Sequence, residues 1–384
     1  MAIGARAWIA GYLIVLAAFL VTVATYYHRD SGFTAFIEFP IQNHEREIPA
    51  VRGAPHYDHS DSGGYDGQFY AQLAVEPLLK DRALDTALDT PPYRARRILM
   101  PWASYAAGLG RPAAVLQAYA LHAVVAWLLL AWLIVQWIPP TSGRNFVLAA
   151  TAMLAHGPLM SVRYAMPDLA AAALIALAVL AAERGRWLAS AIVLGAAGLT
   201  RDTALSAVAI FAGLLRRSMV SWVHAAVLVV VAVAPLLVWF DYIYSIYRST
   251  SLMGSDHFVA PLSSLWWKSA AIGAAARDGL AAVVIDDVTA LTAFLAQGGW
   301  LVWRAVRHRD ASPWILTGLG FLALAVMTDP PIWEGSPGAY PRVFMPVMLA
   351  AHVTLARSTR RLWWLVALIG LDVVPGVRTL SGVW

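Results

Sequence analysis

Residues 112–143 run for 32 positions without an Asp, Glu, Lys or Arg. A hydrocarbon core of about 30 Å takes about 20 apolar residues per helix, so this stretch is long enough to cross one. Uncharged runs recur at 7–25, 145–162, 218–240, 288–303 and 311–328. Four shorter runs, 169–182, 187–200, 203–215 and 343–356, reach spanning length if flanking residues enter the interface, and 362–371 is marginal. The expected fold is an all-α polytopic membrane protein with about 10–11 transmembrane helices, as a single integral membrane domain over 1–384. Residues 7–25 exceed the 7–15 apolar residues usual in a signal peptide and read as a retained anchor.

Composition agrees. Charged residues make up 13% and hydrophobic ones 60% of the chain, whereas a soluble domain carries about 25% charge. A soluble globular enzyme is excluded. Gly (27) and Pro (21) are near average abundance, which excludes collagen and disorder. The net charge of +5 does not imply nucleic acid when most residues sit in lipid. With no cysteine there can be no disulfide, thiolate catalysis or Cys-based metal site.

Orientation follows from Arg and Lys beside short loops. With the N-terminus inside, Arg6, Arg144, Arg184, Arg186, Arg216, Arg217, Arg304, Arg307, Arg309, Arg357, Arg360 and Arg361 lie on the cytoplasmic face. Glu183 and Asp310 are the acids that join them, so the other face carries an acid excess. That outer face holds the long connections, 26–97, 241–280 and 329–342. Long loops in a compact protein usually carry function, so the chemistry is expected there.

Within the first outer loop, residues 26–65 read as polar and irregular. They are followed by Tyr65-Asp66-Gly67-Gln68-Phe69-Tyr70. Apolar spacing from Gln68 onward predicts a short amphipathic helix lying on the membrane. Asp66 falls near its N-cap, where a carboxylate can accept backbone N–H bonds. The local sequence admits that structural role and a chemical one equally. Pro91-Pro92-Tyr93-Arg94-Ala95-Arg96-Arg97 opens a second helix, running through Trp102 toward Gly108 and packed into the outer half of the bundle. Its three arginines fit either an interfacial anchor or a phosphate cradle.

The Tyr-Asp-Gly-Gln-Phe-Tyr string, followed about 22 residues later by Pro-Tyr-Arg-x-Arg-Arg-Ile-Leu-x-Pro-Trp, resembles a bacterial family of cell-surface glycopolymer formation proteins. More distantly it is similar to the GT-C superfamily of polyprenyl-phosphate-sugar-dependent membrane glycosyltransferases. Some GPI mannosyltransferases share an Asp-containing opening of the first outer loop and a Tyr-Arg-x-x-Pro-Leu-type stretch. The specific match covers residues 65–105, and no Asp-x-Asp pair surrounds Asp66. The resemblance implies a GT-C-like fold in the bacterial inner membrane. It implies an active site facing the periplasm, Asp66 as general base, and Gln68 and Tyr70 beside it. It also implies inversion at the anomeric carbon.

Ionisable groups at membrane depth are costly and are functional hypotheses by default. Arg163 and Asp168 bracket a tight turn, Arg201-Asp202 interrupts the 187–215 hairpin, and Arg342 opens a late helix. Each fits a local ion pair; together they aim guanidiniums at one leaflet. An Arg fork bonds two phosphate oxygens at once. Arg94, Arg96, Arg97, Arg201 and Arg342, with Arg163, are therefore the candidate phosphate ligands.

The 241–280 loop offers Asp241, Tyr242, Tyr244, Tyr247, Arg248, Asp256, His257 and Trp266-Trp267-Lys268. These fit an interface belt or an aromatic platform for a sugar or prenyl chain; Asp329, Trp333 and Glu334 are similarly ambiguous. His56-x-x-His59 with Asp58 and Asp61 has divalent-ion chemistry, but its Ser/Gly context reads as a solvated loop. A divalent metal stays open, and no other cofactor is indicated. No metalloprotease, nucleophile-elbow, phosphate-loop or dinucleotide motif occurs, so ATP hydrolysis is not expected.

The expected function is a glycosyltransferase. Its expected partners are a polyprenyl-phosphate sugar donor, a cell-envelope glycan or glycolipid acceptor, and membrane lipids, without nucleic acid. The alternatives are a transporter or flippase of lipid-linked saccharides, using the same arginines without a base, and a non-catalytic subunit of envelope polysaccharide assembly. Transporters often show internal repeats and broken midplane helices; no repeat is found. The catalytic reading carries a geometric requirement. Asp66 must face a cavity open to water and the outer leaflet, with two named arginines within about 10 Å, a Debye length at 0.1 M salt. An Asp66 carboxylate occupied by backbone N–H groups would contradict it.

Overall fold

The computed structural model describes residues 2–215, 219–248, 258–360 and 362–381. Arg216, Arg217, Asp256, His257 and Arg361, named above, lie outside the described residues. The architecture is all-α, with one minimal β pairing. Among the described residues, six helices are long and apolar enough to cross a membrane: Arg6–Ala24, Pro112–Ile134, Gly143–Arg163, Ser221–Tyr247, Ala281–Arg307 and Trp363–Ser381. The shorter apolar helices Trp187–Thr200, Asp202–Leu214, Pro313–Met327 and Met345–Ala356 join helix Asp168–Glu183 in the bundle. The eleven charge-free runs thus each correspond to a helical segment.

Helix starts follow local chemistry. Pro112 and Pro313 occupy the first turn, where a missing N–H costs nothing and φ is pre-set. Ser142 caps Gly143–Leu154 by accepting from the Asn145 N–H, as expected of an N-cap serine. Arg201-Asp202 ends one helix and starts the 3-10 helix Asp202–Leu214.

The centre of the bundle is helix Asp168–Glu183. It is buried along most of its length and packs against Pro112–Ile134, His156–Arg163, Trp187–Thr200 and Met345–Ala356. Its small residues, Ala170 to Ala173, Ala176 and Ala178, let neighbouring backbones approach, the usual means of packing helices in lipid. Helix Ala2–Ala24 lies at the periphery and docks through Phe19, whose ring stacks on Trp127 at 3.7 Å.

Four expectations change. Residues 26–65 are irregular but not a solvated loop. Phe36, Ile37, Phe39 and Val51 are fully buried, and Phe39–Pro40 pairs in parallel with Asp58–His59. Helix Gly67–Val75 does not lie on the membrane surface, because eight of its nine residues are buried within the protein. The span beginning near 288 starts instead at Ala281. Asp286 and Asp287, which broke the charge-free run, are paired with Arg378 and Lys268, each at 2.8 Å. The marginal run 362–371 continues through buried Asp372 to Ser381.

The aromatic residues of the later loops also divide. Trp266 is 79% exposed, as an interface residue would be. Trp333 is buried and stacks on Tyr340 at 4.8 Å. Lys268 is buried, donating to Asp287 at 2.8 Å and to the Gly335 carbonyl at 2.7 Å.

Candidate functional site

Asp66 occupies the N-cap position of helix Gly67–Val75 but makes no side-chain cap hydrogen bond. Its Oδ1 instead accepts from Arg94 Nη2 at 2.9 Å, and its Oδ2 lies 3.7 Å from Arg342 Nη2. Local sequence could not separate a cap from a chemical role. The carboxylate is 28% exposed, so it faces both the cluster and solvent.

Helix Gly67–Val75 can carry Asp66 so deep because Gly67 has no side chain. A Cβ there would collide with the Tyr164 carbonyl and sit 3.1 Å from that of Ile37. The same helix supplies Tyr70, fully buried, whose hydroxyl accepts from Arg94 Nη1 at 3.3 Å and from Arg97 Nη1. Gln68 is buried as well, but turns to a neighbouring polar cavity lined also by Glu47, Gln72, Thr86 and Asp89.

Pro91 and Pro92 force the turn that delivers Arg94, Arg96 and Arg97. Asp89, just before it, grips Arg94 with both oxygens, at 2.8 Å from Nε and 2.6 Å from Nη2. Arg96 lies 3.1 Å from Asp202 and its guanidinium stands 4.3 Å from the centre of the Tyr93 ring. Arg97 donates to the hydroxyls of Tyr93, at 2.9 Å, and Tyr70. Among the described residues no carboxylate lies within 4.0 Å of Arg97.

Two further segments complete the cluster. Asp168 opens its helix, where the macrodipole favours an anion. Its Oδ1 accepts from Arg201 Nη1 and its Oδ2 from Arg342 Nη1 at 2.8 Å. Arg201 also donates to Thr203 Oγ1 at 3.0 Å. The Arg342 Nε is buried and unpartnered. A crevice beside this pair is lined by Asp168, Arg201, Thr203 and Arg342.

Five buried arginines, Arg94, Arg96, Arg97, Arg201 and Arg342, therefore meet four carboxylates, Asp66, Asp89, Asp168 and Asp202. With all of them charged, the cluster holds, among the described residues, one more cation than carboxylates. A buried charge without a partner is expensive, so the cluster is predisposed to take up an anion. Burial works to raise the Asp66 carboxyl, but Arg94 and then Arg342 outweigh it and hold it below the usual carboxylate range. Tyr93 is likewise drawn below the ordinary phenol value, first by Arg97, against the opposing effect of burial.

The sequence pairings are partly redrawn. Arg163 does not pair with Asp168; it donates to Glu38 Oε2 at 2.6 Å and packs on the rings of Tyr26 and Tyr164. It stands outside the cluster. Arg201 and Asp202, adjacent in sequence, turn to different partners, Asp168 and Arg96. His56 and His59 also separate. His59 faces the Ala35 carbonyl and Glu38, whereas His56 joins His44, Glu47 and Asp58. Asp89 and Tyr93 were not singled out for chemistry, although an acid directly before a Thr-Pro-Pro-Tyr-Arg turn was a readable signal.

No protein-family profile matches the chain, and no curated protein sequence matches it. Among solved structures, the apo crystal structure of ArnT from Cupriavidus metallidurans is similar over 94% of this chain, with 17% identity and a TM-score of 0.49. The match spans 62% of the length of that chain.

Proposed function

We propose that the protein is a membrane glycosyltransferase of the bacterial inner membrane. It moves a sugar from a polyprenyl-phosphate donor to a cell-envelope glycan or glycolipid acceptor, on the face carrying the Asp66 cluster. One observation carries this reading: a partly exposed carboxylate at a helix start is spent on no helix N–H, but stands between Arg94 and Arg342 in a cluster that holds, among the described residues, one more cation than carboxylates.

The chemistry follows from competition for guanidiniums. An incoming phosphodiester offers the forks of Arg94, Arg97 and Arg342 a second pair of anionic oxygens, in geometry that suits a guanidinium, in competition with Asp66. As these arginines turn to the phosphate, Asp66 loses the partners that depress its pKa and becomes a stronger base. Its free oxygen then takes the proton of the acceptor hydroxyl. The acceptor oxygen forms the new bond to the anomeric carbon from the face opposite the phosphate. The bond from that carbon to the phosphate oxygen breaks, and its electron pair leaves with the phosphate. Growing charge on the leaving oxygen is met by donors already in place, with little reorganisation. Tyr70 holds Arg94 and Arg97 in register through its hydroxyl.

The outward orientation rests on the charge partition. At the far end of helix Asp168–Glu183 from the cluster, Glu183 pairs with Arg357 at 2.8 Å, and Arg144 donates to the Ser358 carbonyl at 2.9 Å. Residues assigned to the cytoplasmic side thus gather at the opposite end, about 22 Å away along the 15 residue steps of that helix.

Purified protein supplied with radiolabelled polyprenyl-phosphate sugars and acceptor glycans tests the proposal. Asp66→Asn should lower transfer by about 10²–10⁴-fold, the usual worth of general-base catalysis, while donor binding persists. Transfer by Asp66→Asn near the wild-type rate overturns the base assignment. Wild-type protein that translocates the labelled lipid without transferring its sugar supports a flippase instead.

A further inference from the structure

Away from the arginine cluster, His44, Glu47, His56 and Asp58 each direct one donor atom into a common point, all four within 4.8 Å of one another. We propose that this is a divalent transition-metal site, of zinc chemistry, that clips the 41–59 segment. The His56 and Glu47 side chains are each only 3% exposed. Both Glu47 carboxylate oxygens, His44 Nδ1 and His56 Nε2 are buried without a hydrogen-bond partner. Leaving such groups buried and unpaired is costly, and a metal ion at this point would take one donor atom from each residue.

Tautomer and spacing fit a ligand set. His56 Nδ1 lies 2.8 Å from the Ala54 carbonyl, which only accepts, so this nitrogen carries the proton. In the neutral imidazole the Nε2 lone pair then faces the other donors, the arrangement in which a backbone carbonyl orients a metal-binding histidine. From Nε2, Asp58 Oδ1 is 3.1 Å away and Glu47 Oε2 3.5 Å; from His44 Nδ1 the same oxygens are at 3.9 and 3.5 Å. Tetrahedral zinc with bonds of about 2.0–2.1 Å separates its ligands by about 3.3 Å. Two imidazoles and two carboxylates suit zinc better than magnesium or calcium, which favour all-oxygen shells.

Chain path indicates what the ion does. His44 lies in the 3-10 helix Ile41–Arg46 and Asp58 in the strand paired with Phe39–Pro40, so one ion ties both ends of this irregular stretch. The Ile48 N–H donates to Gln72 Oε1 on helix Gly67–Val75. Glu47 also lines the polar cavity that Gln68 and Asp89 share. The clip therefore fixes one wall of the cavity adjoining Asp89, the partner of Arg94.

Full-length protein in detergent is stripped with chelator and titrated with zinc chloride. Stoichiometry is read by elemental analysis and coordination by the visible spectrum of a cobalt(II) replacement. One equivalent should bind with tetrahedral cobalt bands. His44→Asn alters the more exposed ligand, 40% exposed, and spares the buried core; it should weaken binding by more than the about 10–100-fold caused by losing a supporting contact. His56→Asn should abolish the cobalt bands, whereas Asp61→Asn, outside the four donors, should bind as wild type does. Failure of stripped wild type to bind zinc overturns the site, as does unchanged affinity in His44→Asn. These readouts do not depend on sugar transfer.

Discussion

Arg97 and Arg342 are both buried guanidiniums in one cluster, yet they should respond differently to removal. Arg342 bridges Asp66 and Asp168, so Arg342→Met leaves a buried carboxylate short of a partner. Breaking such a pair costs about 3–5 kcal/mol, and the thermal midpoint should fall accordingly. Arg97 contacts phenols rather than carboxylates, so Arg97→Met should leave the melting temperature within a few degrees of wild type. Donor binding, read by titration calorimetry, should weaken about 10–100-fold, the worth of one charge-assisted hydrogen bond. Equal loss of stability in both variants would contradict the unequal pairing. Asp66 adds a pH signature. Its pKa lies below the ordinary 3.8, so folding favours the ionised form. That stability is fully present above the unfolded value and is lost as pH falls through the lower folded one. The gap between wild type and Asp66→Asn in chemical denaturation should be flat from pH 7 to about 5 and shrink below about pH 4. Residue identities were legible because the Asp66 and Arg94–Arg97 strings stand out. Pairings were not, since partners such as Asp168 and Arg342 are 174 positions apart and nothing local predicts their meeting.

At the scale of the element, the site depends on close backbone approaches that side-chain chemistry does not announce. Gly67 meets the Tyr164 carbonyl, and a Cβ on Gly157 would stand 2.5 Å from the carbonyl of Pro341, next to Arg342. Gly67→Ala should therefore push helix Gly67–Val75 outward and misplace Asp66. Stability should fall by about 1–3 kcal/mol, as for other overpacked sites. Transfer should fall by about 10²-fold, the effect of an ångström-scale misalignment. Paired melting and rate measurements check this, and a stability loss with undiminished turnover per folded molecule would speak against it. The long helices were legible because apolar runs of membrane length have few other uses. Their ends were not: Asp286, Asp287 and Asp372 broke the charge-free criterion, and the Arg378 and Lys268 that compensate the first two meet them only in three dimensions. Helix Gly67–Val75 was read as a short helix at the right place but with the wrong surroundings. Its burial comes chiefly from helices Leu99–Ala107 and Pro112–Ile134, with Pro49–Arg52 adding to it, and a local pattern does not register such distant partners.

For the whole molecule, the sorting of arginines between two ends was the most legible property, because insertion itself acts on charge beside short loops. In sealed vesicles, a cysteine introduced at exposed Asp61 and one at exposed Arg184 should react with an impermeant thiol reagent from opposite sides; the natural chain has no cysteine to confuse the result. Labelling from the same side would invalidate the proposed orientation. The buried helix Asp168–Glu183 also acts as a depth gauge. It has the arginine cluster at one tip and the Glu183–Arg357 pair at the other. At about 22 Å it is shorter than a hydrocarbon core of about 30 Å. With the Glu183 end held in the headgroups of one leaflet, the other tip falls short of the opposite headgroup plane. A donor must then bring its phosphate below that plane, or the bilayer must thin around the protein. Turnover in reconstituted membranes should rise as acyl chains shorten toward a match with the rod, making lipid thickness a control on the reaction.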